Sequence, residues 1–282
     1  MDYYVLMGDS AYTFAGAERE RELERLRRIE DAADPASRHL LKESGMGPGW
    51  SCLEVGAGAG SIAAWMAERV GREGEVVAID RDAGFLDASL LPGVRIIEGD
   101  IRELDLHAAR FDVVHARYVL VHTPDYEALL DVMLAALKPG GRLVVEEPDF
   151  TAAKGASGAD IEAFERVNRS VVAMFEAGGK DPGLGLRLPA MLTARGLAIE
   201  LVENEVPLCQ GGHPLAEIMS LSAVQLRDKY LATGLISEGD LAGYARFAAD
   251  PRAWGIYYGT VGVVARKPAK TAPPGAYSPH AG

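Results

Sequence analysis

The residues best placed for chemistry lie in Leu53-Glu54-Val55-Gly56-Ala57-Gly58-Ala59-Gly60-Ser61. A strand-like run precedes the glycines and a helix-like run, SIAAWMAERV, follows. Glycines there let the backbone turn sharply and bring N–H groups close to a ligand at a helix N-terminus. The spacing is G-x-G-x-G. A dinucleotide fingerprint reads G-x-G-x-x-G, and Ser61 stands where its last glycine would be. Glu54 at the strand end would repel a pyrophosphate but suits a ligand carrying an ammonium or sulfonium charge. Asp80 ends the run EVVAID and can accept both hydrogen bonds of a ribose diol. Asp100 ends GVRIIEGD. Its carboxylate can take an adenine amino group while Ile101 packs on the ring.

Proton-handling side chains gather in the next hundred residues. His115, Tyr118 and His122 flank one strand-like run, and Glu147 and Asp149 close another. His213 stands farther along the chain. A histidine is the best-tuned base near neutral pH, so His122 and His115 are the candidate bases. Each also has a plain structural reading: His122 as a residue that closes a loop, His115 as the end of a strand. Glu147 and Asp149 can orient an acceptor hydroxyl or amine, or stand as solvated loop acids.

These residues need a scaffold, and the hydrophobic rhythm supplies one. WSCLEV, EVVAID, VRIIEG, FDVVHA and RLVVEE are short, Val- and Ile-rich and nearly continuous, as strands buried on both faces are. SIAAWMAERV, AGFLDASLL and DYEALLDVMLAALK lie between them. The last starts at Thr123-Pro124-Asp125 and stops at Lys138-Pro139-Gly140-Gly141. Alternating β and α elements predict a doubly wound, parallel α/β sheet. Ahead of it, AERERELERLRRIEDAAD predicts a solvated amphipathic helix with a narrow stripe of Leu23, Leu26 and Ile29 and a Glu24–Arg28 pair. Beyond Phe150 we expect a loop over TAAKGASGAD and a helix carrying Ile161, Phe164, Val167 or Asn168, Val171 and Phe175 on one face. A helix over LPAMLTARG, a strand over GLAIELVENEVPLC, a helix from His213 to Gly234 and one capped by Ser237 follow. AWGIYYGTVGVVARKP reads as a final strand. The domain reading is a helical lid over 1–45, a core over 46–266 with helical insertions at about 151–195 and 211–250, and a disordered tail over 267–282.

LEVGAGAGS, VVAIDRD, EGDI, FDVVHARYVLVH and LKPGGRLVVEEPD occur in that order over about Trp50 to Phe150. This set resembles the class I S-adenosylmethionine-dependent methyltransferases. The resemblance implies a Rossmann-like, seven-stranded, mostly parallel sheet with an antiparallel last strand, and S-adenosyl-L-methionine as cofactor. Gly56, Ala57, Gly58 and Gly60 would line its methionine part, with Glu54 behind it. Asp80 would bind the ribose, and Arg81, Asp100 and Ile101 would frame the adenine. Ala116 and Arg117 would approach the methionine moiety, and His122 would stand near the methyl. The start YVLMGDS…ERL and the strand end EEPDF look like bacterial small-molecule methyltransferases of natural-product biosynthesis.

The balance of 29 Lys+Arg against 41 Asp+Glu gives a net charge of −12, which argues against a polynucleotide partner and an anionic membrane surface. The planar-nitrogen motif Asp/Asn-Pro-Pro-Tyr/Phe is absent and HARY stands in its place. Two cysteines, Cys52 and Cys209, make neither a disulfide framework nor a metal motif. With no leader-like start, the expected setting is cytoplasmic, and no metal is expected. The predicted function is methyl transfer to a hydroxyl or amine of a small, hydrophobic or polycyclic acceptor. Lid candidates for its recognition are Tyr3, Tyr4, Phe14, Phe164, Met174, Phe175, Met191 and Met219. Both a monomer and a homodimer are compatible with the sequence. Two other readings stand beside this one: a cofactor-binding scaffold or rearrangement catalyst, and a nicotinamide-dependent oxidoreductase.

Overall fold

Strands and helices alternate through the first half of the chain, as the apolar rhythm predicts. The structure, a computed structural model, describes residues 17–106 and 108–269. The long helix α1 (Ala17–Glu43) leads into β1 (Ser51–Val55), α2 (Ser61–Val70), β2 (Glu75–Asp80), β3 (Val94–Glu98) and β4 (Phe111–Arg117). Helix α3 (Tyr126–Ala136) and the long β5 (Leu137–Asp149) complete that half. The second half holds β6 (Lys154–Ser157), α4 (Ile161–Ala177), α5 (Leu184–Ala194), β7 (Ala198–Glu205) and β8 (Cys209–Gln210). It ends with α6 (Pro214–Gln225), α7 (Arg227–Ala232), α8 (Glu238–Ala249), β9 (Trp254–Ile256) and β10 (Gly259–Arg266).

Seven strands form one sheet in the order β3-β2-β1-β4-β5-β10-β7. The pairs among β1 to β5 are parallel, and β10 runs antiparallel to both β5 and β7. The order reverses at β1, next to β4. A crevice opens there at the carboxyl ends of the strands, the general location of ligands in such sheets. Side chains alternate between two cores. Cys52, Val76, Ala78, Val113, Val144 and Val264 face α1 and α2, while Leu53, Val77, Val114, Leu143, Val145 and Val263 face α3 and α5. Burial on both faces explains the near-continuous apolar runs.

A cap stands over the strand ends. It comprises α4, α6, α7 and α8 with a three-stranded sheet in the order β6-β9-β8. Phe164 is its centre: it stacks on Phe247 at 4.3 Å and on Tyr244 at 5.5 Å, with Tyr257 edge-on at 5.0 Å. Four local expectations change here. TAAKGASGAD is not all loop, because Lys154–Ser157 pairs with β9. The predicted final strand divides at Tyr257-Tyr258, since its first part joins the cap sheet and its second the main sheet. The helix expected to Gly234 breaks at Leu226 into α6 and α7. The predicted first helix runs on through Pro35 to Glu43, because its last turns bury Leu40 and Leu41 against the sheet. Packing there outweighs the proline's lost N–H. Tyr3, Tyr4, Phe14, the start of the lid and the expected tail from Lys270 onward lie outside the described residues.

Candidate functional site

The turn after β1 forms as its glycines require. Gly56, Gly58 and Gly60 adopt φ of 70°, 58° and 96°, values that favour residues without a Cβ. Their surroundings differ. A Cβ on Gly56 would collide with Val119 Cγ2. One on Gly60 would press on Leu86 and Leu91 at 3.0 Å. One on Gly58 would meet only Leu26, at 3.8 Å, across open space. Gly56, Ala57 and Gly58 line a cavity at the strand ends, whereas Gly60 packs against the leucines and leaves the lining to its neighbours. The expected lining role therefore does not extend to Gly60.

Acids surround this turn. Asp80 Oδ2 accepts the Gly58 N–H at 2.9 Å, and its Oδ1 accepts from Asp82 N at 3.0 Å. It thus ties the turn to β2 while lining the cavity. Burial pushes its pKa above the ordinary range. Asp100 also lines the cavity, but both of its oxygens are engaged by Arg102, which holds its pKa low. Its carboxylate is shared with Arg102, which limits its freedom toward an adenine. Ile101 is buried beside it, and Arg81 completes this end of the cavity.

Helix α1 supplies two acids that sequence reasoning assigned to a solvated face. Glu30 Oε1 accepts from Ser61 N at 3.0 Å, at the first turn of α2. Asp34 Oδ1 accepts from Ser61 Oγ and from Arg117 Nη1, both at 3.0 Å. Arg117 also donates to Ser37 Oγ at 2.8 Å. The expected Glu24–Arg28 pair is present at 2.9 Å, and Arg28 reaches on to Glu217 of α6. The helix is therefore pinned to the glycine turn on one side and to the cap on the other.

Below the turn lies a charged row. His115 is fully buried, with Nδ1 2.6 Å from Glu54 Oε2 and Nε2 2.9 Å from Glu146 Oε1. Two carboxylates on two ring nitrogens hold its pKa up, at about 9, against the cost of burial. His115 does not reach the cavity, and neither does Ala116, which is buried in the core. The expected base role of His115 and the expected approach of Ala116 to the ligand are corrected accordingly. Glu54 itself faces the cavity floor.

His122 does line the cavity. Its position is set by Glu147, which is fully buried and accepts from the backbone N–H groups of Val119, Leu120 and Val121 at 3.0, 2.7 and 3.1 Å. Glu147 is thus a buried anchor of the backbone, not an acid facing an acceptor. Burial pushes its pKa up to about 8, against the three N–H donors that favour the carboxylate. Asp149 accepts from Thr151 N at 2.9 Å and fixes the turn that carries Phe150. His213 caps α6, its Nδ1 accepting from Leu215 N at 3.2 Å, and stays outside the cavity. Burial, with the nearby charges of Lys180 and Arg25, pushes the His122 pKa down to about 3, so its imidazole is neutral at working pH.

The other end of the cavity is aromatic. Tyr118, at φ 57°, places its ring edge-on to Tyr258 with centroids 6.2 Å apart. Tyr258 meets Phe150 at 5.6 Å, Phe150 stacks on Phe175 at 4.9 Å, and Phe175 meets His122 at 5.9 Å. Of the lid residues expected from sequence, Phe175 and Met219 line the cavity, while Phe164, Met174 and Met191 pack elsewhere. Phe150 and Tyr258 were missed. Their signal was position alone, just past β5 and just before β10, where a strand ends at the crevice.

The cavity, about 320 Å³, thus has an acidic glycine-rich end and an aromatic end. Residues 53–145 match the family described as a methyltransferase domain. That segment is a class I S-adenosylmethionine-dependent methyltransferase domain within the chain. The chain is 33% identical over 118 residues to a ubiquinone/menaquinone biosynthesis C-methyltransferase of Idiomarina loihiensis, covering 39% of this chain and 47% of that one. It is also 33% identical over 158 residues to a methyltransferase of Strobilurus tenacellus, covering 55% and 56%. The chain therefore spans about half the length of these curated relatives. Among solved structures, the [4+2]-cyclase SpnF superposes with a TM-score of 0.55 at 20% identity, over 85% of this chain and 82% of that one. Phosphoethanolamine N-methyltransferase 2 of Haemonchus contortus, in complex with S-adenosyl-L-methionine, superposes at 0.53 with 19% identity, over 86% and 56%.

The methyltransferase domain's residues fit the cofactor. Gly58 leaves open space that a side chain would fill, and the carboxyl groups of Glu54 and Glu30, both with pKa pushed up by burial, face a space that a sulfonium or ammonium charge suits. Asp80 retains lone pairs beyond the backbone bonds it accepts. Among the described residues, no group of three metal-ligating side chains is found, and no helix is long and apolar enough to cross a membrane.

Proposed function

We propose that this protein methylates a small, largely apolar, ring-bearing metabolite. The observation that carries this reading is the row of rings from Tyr118 through Tyr258, Phe150 and Phe175 to His122, in one cavity with the glycine turn. Aromatic faces favour offset or edge-on contact with a planar guest. When bound, S-adenosylmethionine supplies an electrophilic methyl group on a positively charged sulfur. The chain's own task is to align a nucleophile with it and exclude water.

Gly56, Gly58, Glu54, Asp80, Arg81, Asp100, Ile101 and Arg117 would hold the cofactor. Arg117 acts from its buried bond to Asp34. The aromatic row would hold the acceptor, and α1 with α6 would roof the site. Among the described residues, His122 is the one imidazole on this wall. With a pKa near 3 it is a poor proton store, so its neutral ring orients the acceptor by accepting a hydrogen bond from a hydroxyl or amine. The nucleophile is then a hydroxyl, a neutral amine or the ring carbon such a group activates. The similarity to a quinone C-methyltransferase supports including carbon.

A methyl-transfer screen over phenols, quinols, amines and polycyclic ring compounds, scored by formation of S-adenosylhomocysteine, tests this reading. Labelled methyl should appear on a ring-bearing acceptor. Cofactor binding without transfer to any of them would instead favour a catalyst of another reaction in the same cavity. Binding of NADH in place of S-adenosylmethionine would return the oxidoreductase reading.

A further inference from the structure

Beside the aromatic row, one polar group in the acceptor end has no use within the protein. Tyr230 of α7 is 2% exposed and lines the cavity. Burial raises its pKa above the ordinary phenol value, so it remains a neutral O–H donor. No described residue hydrogen-bonds that hydroxyl; it feels the charge of Arg25 and the neighbouring Tyr244 phenol. Arg25 and His122 line the same cavity.

The other buried tyrosines contrast with it. Tyr118 bonds Thr260 Oγ1 at 2.7 Å, and Tyr244 reaches Asn168 Oδ1 at 3.5 Å. The Tyr257 hydroxyl is also unpaired, but Tyr257 does not line the cavity. A buried hydroxyl without a partner costs stability, about 1–3 kcal/mol. Phenylalanine would fill the same space in a row of aromatic residues without that cost.

We infer that Tyr230 donates a hydrogen bond to an oxygen of the bound acceptor, and that the acceptor is therefore a neutral ring compound carrying a hydroxyl or carbonyl oxygen. This rests on the proposal that the aromatic end holds the acceptor. It adds the chemical class and names the residue that selects it. A site built to bond a substrate oxygen rejects the analogue lacking it, because its own donor is then left unpaired.

The test compares 1-naphthol with naphthalene, which lacks the oxygen. Binding of each is measured calorimetrically to the full chain and to Tyr230→Phe, with S-adenosylhomocysteine present. The native protein should prefer 1-naphthol by about tenfold, the worth of one buried hydrogen bond. Tyr230→Phe should narrow that preference several-fold, any remainder being the bond the naphthol hydroxyl gives to His122. It should also unfold at the same temperature or higher, which a tyrosine kept for structure alone would not allow. Equal binding of both compounds by the native protein, or an undiminished preference in Tyr230→Phe, would overturn the role of Tyr230 and leave the aromatic acceptor site standing. Failure of both compounds to bind the native protein would overturn the acceptor site itself.

Discussion

His115 Nδ1 lies 2.6 Å from Glu54 Oε2, and its other nitrogen lies 2.9 Å from Glu146, so the ring bridges two carboxylates across three adjacent strands. To donate to both it must be an imidazolium. The row is buried under the glycine turn, and the Arg117 guanidinium acts on both of its carboxyl groups from the cavity side.

Removing the bridge leaves two carboxylates without their cation. His115→Leu should cost about 3–5 kcal/mol of folding stability, measured by urea denaturation at pH 7. The pH dependence has a definite sign. The folded pKa, about 9, is raised above the ordinary 6.5, so the native state keeps a proton that the unfolded chain releases. The stabilisation is complete below about pH 6.5 and is lost as pH rises through about 9. The stability gap between native protein and His115→Leu should narrow over that window.

His122 titrates the other way. Its folded pKa is lowered to about 3, so between pH 6.5 and 3 the unfolded chain binds a proton the native state refuses. Native stability should fall as pH drops through that range, by roughly 1.4 kcal/mol per pH unit at most. His122→Gln should flatten the dependence. For turnover, His122→Ala should lower kcat by about tenfold or more with the cofactor Kd unchanged. The native kcat/KM profile should show no ionisation near 6.5, and its shape should be the same in this variant.

Gly56 and Gly58 should separate packing from binding. Gly56→Ala forces a Cβ onto Val119 at positive φ, and should lose stability by about 1–3 kcal/mol together with cofactor affinity. At Gly58 the space is open, so Gly58→Ala should lose about 1 kcal/mol for its backbone alone. Gly58→Arg should fill the cradle and abolish cofactor binding while the protein still folds. Calorimetric titration and thermal melts on the three variants check this.

Asp34 joins the N-terminal helix to the site. Asp34→Ala leaves the Arg117 guanidinium largely buried without its carboxylate and frees Ser61 Oγ. A loss of about 3 kcal/mol is expected, with a weakened cofactor Kd. Ser37→Ala, which removes only a neutral partner of Arg117, should cost about 1 kcal/mol.

The order of elements, the glycine turn and the acids at the ends of β1, β2 and β3 were legible in the residues, because short-range patterns write them. Buried strands need continuous apolar runs, and a tight turn beneath a ligand needs glycine. The roles of His115, Glu147 and Asp34 were not legible. Each depends on a partner 26 to 83 residues away in the chain. Local pattern cannot tell a histidine between two buried carboxylates from one facing a cavity. The solvated reading of α1 failed for the same reason: its acids look surface-like until the sheet and cap close on them. The sequence alone determined the cofactor-binding half of this protein, since backbone geometry and charge act locally there. The aromatic end, with Phe150, Phe175, Tyr230 and Tyr258 drawn from four separate stretches of chain, was decided only when tertiary packing brought their rings to one cavity.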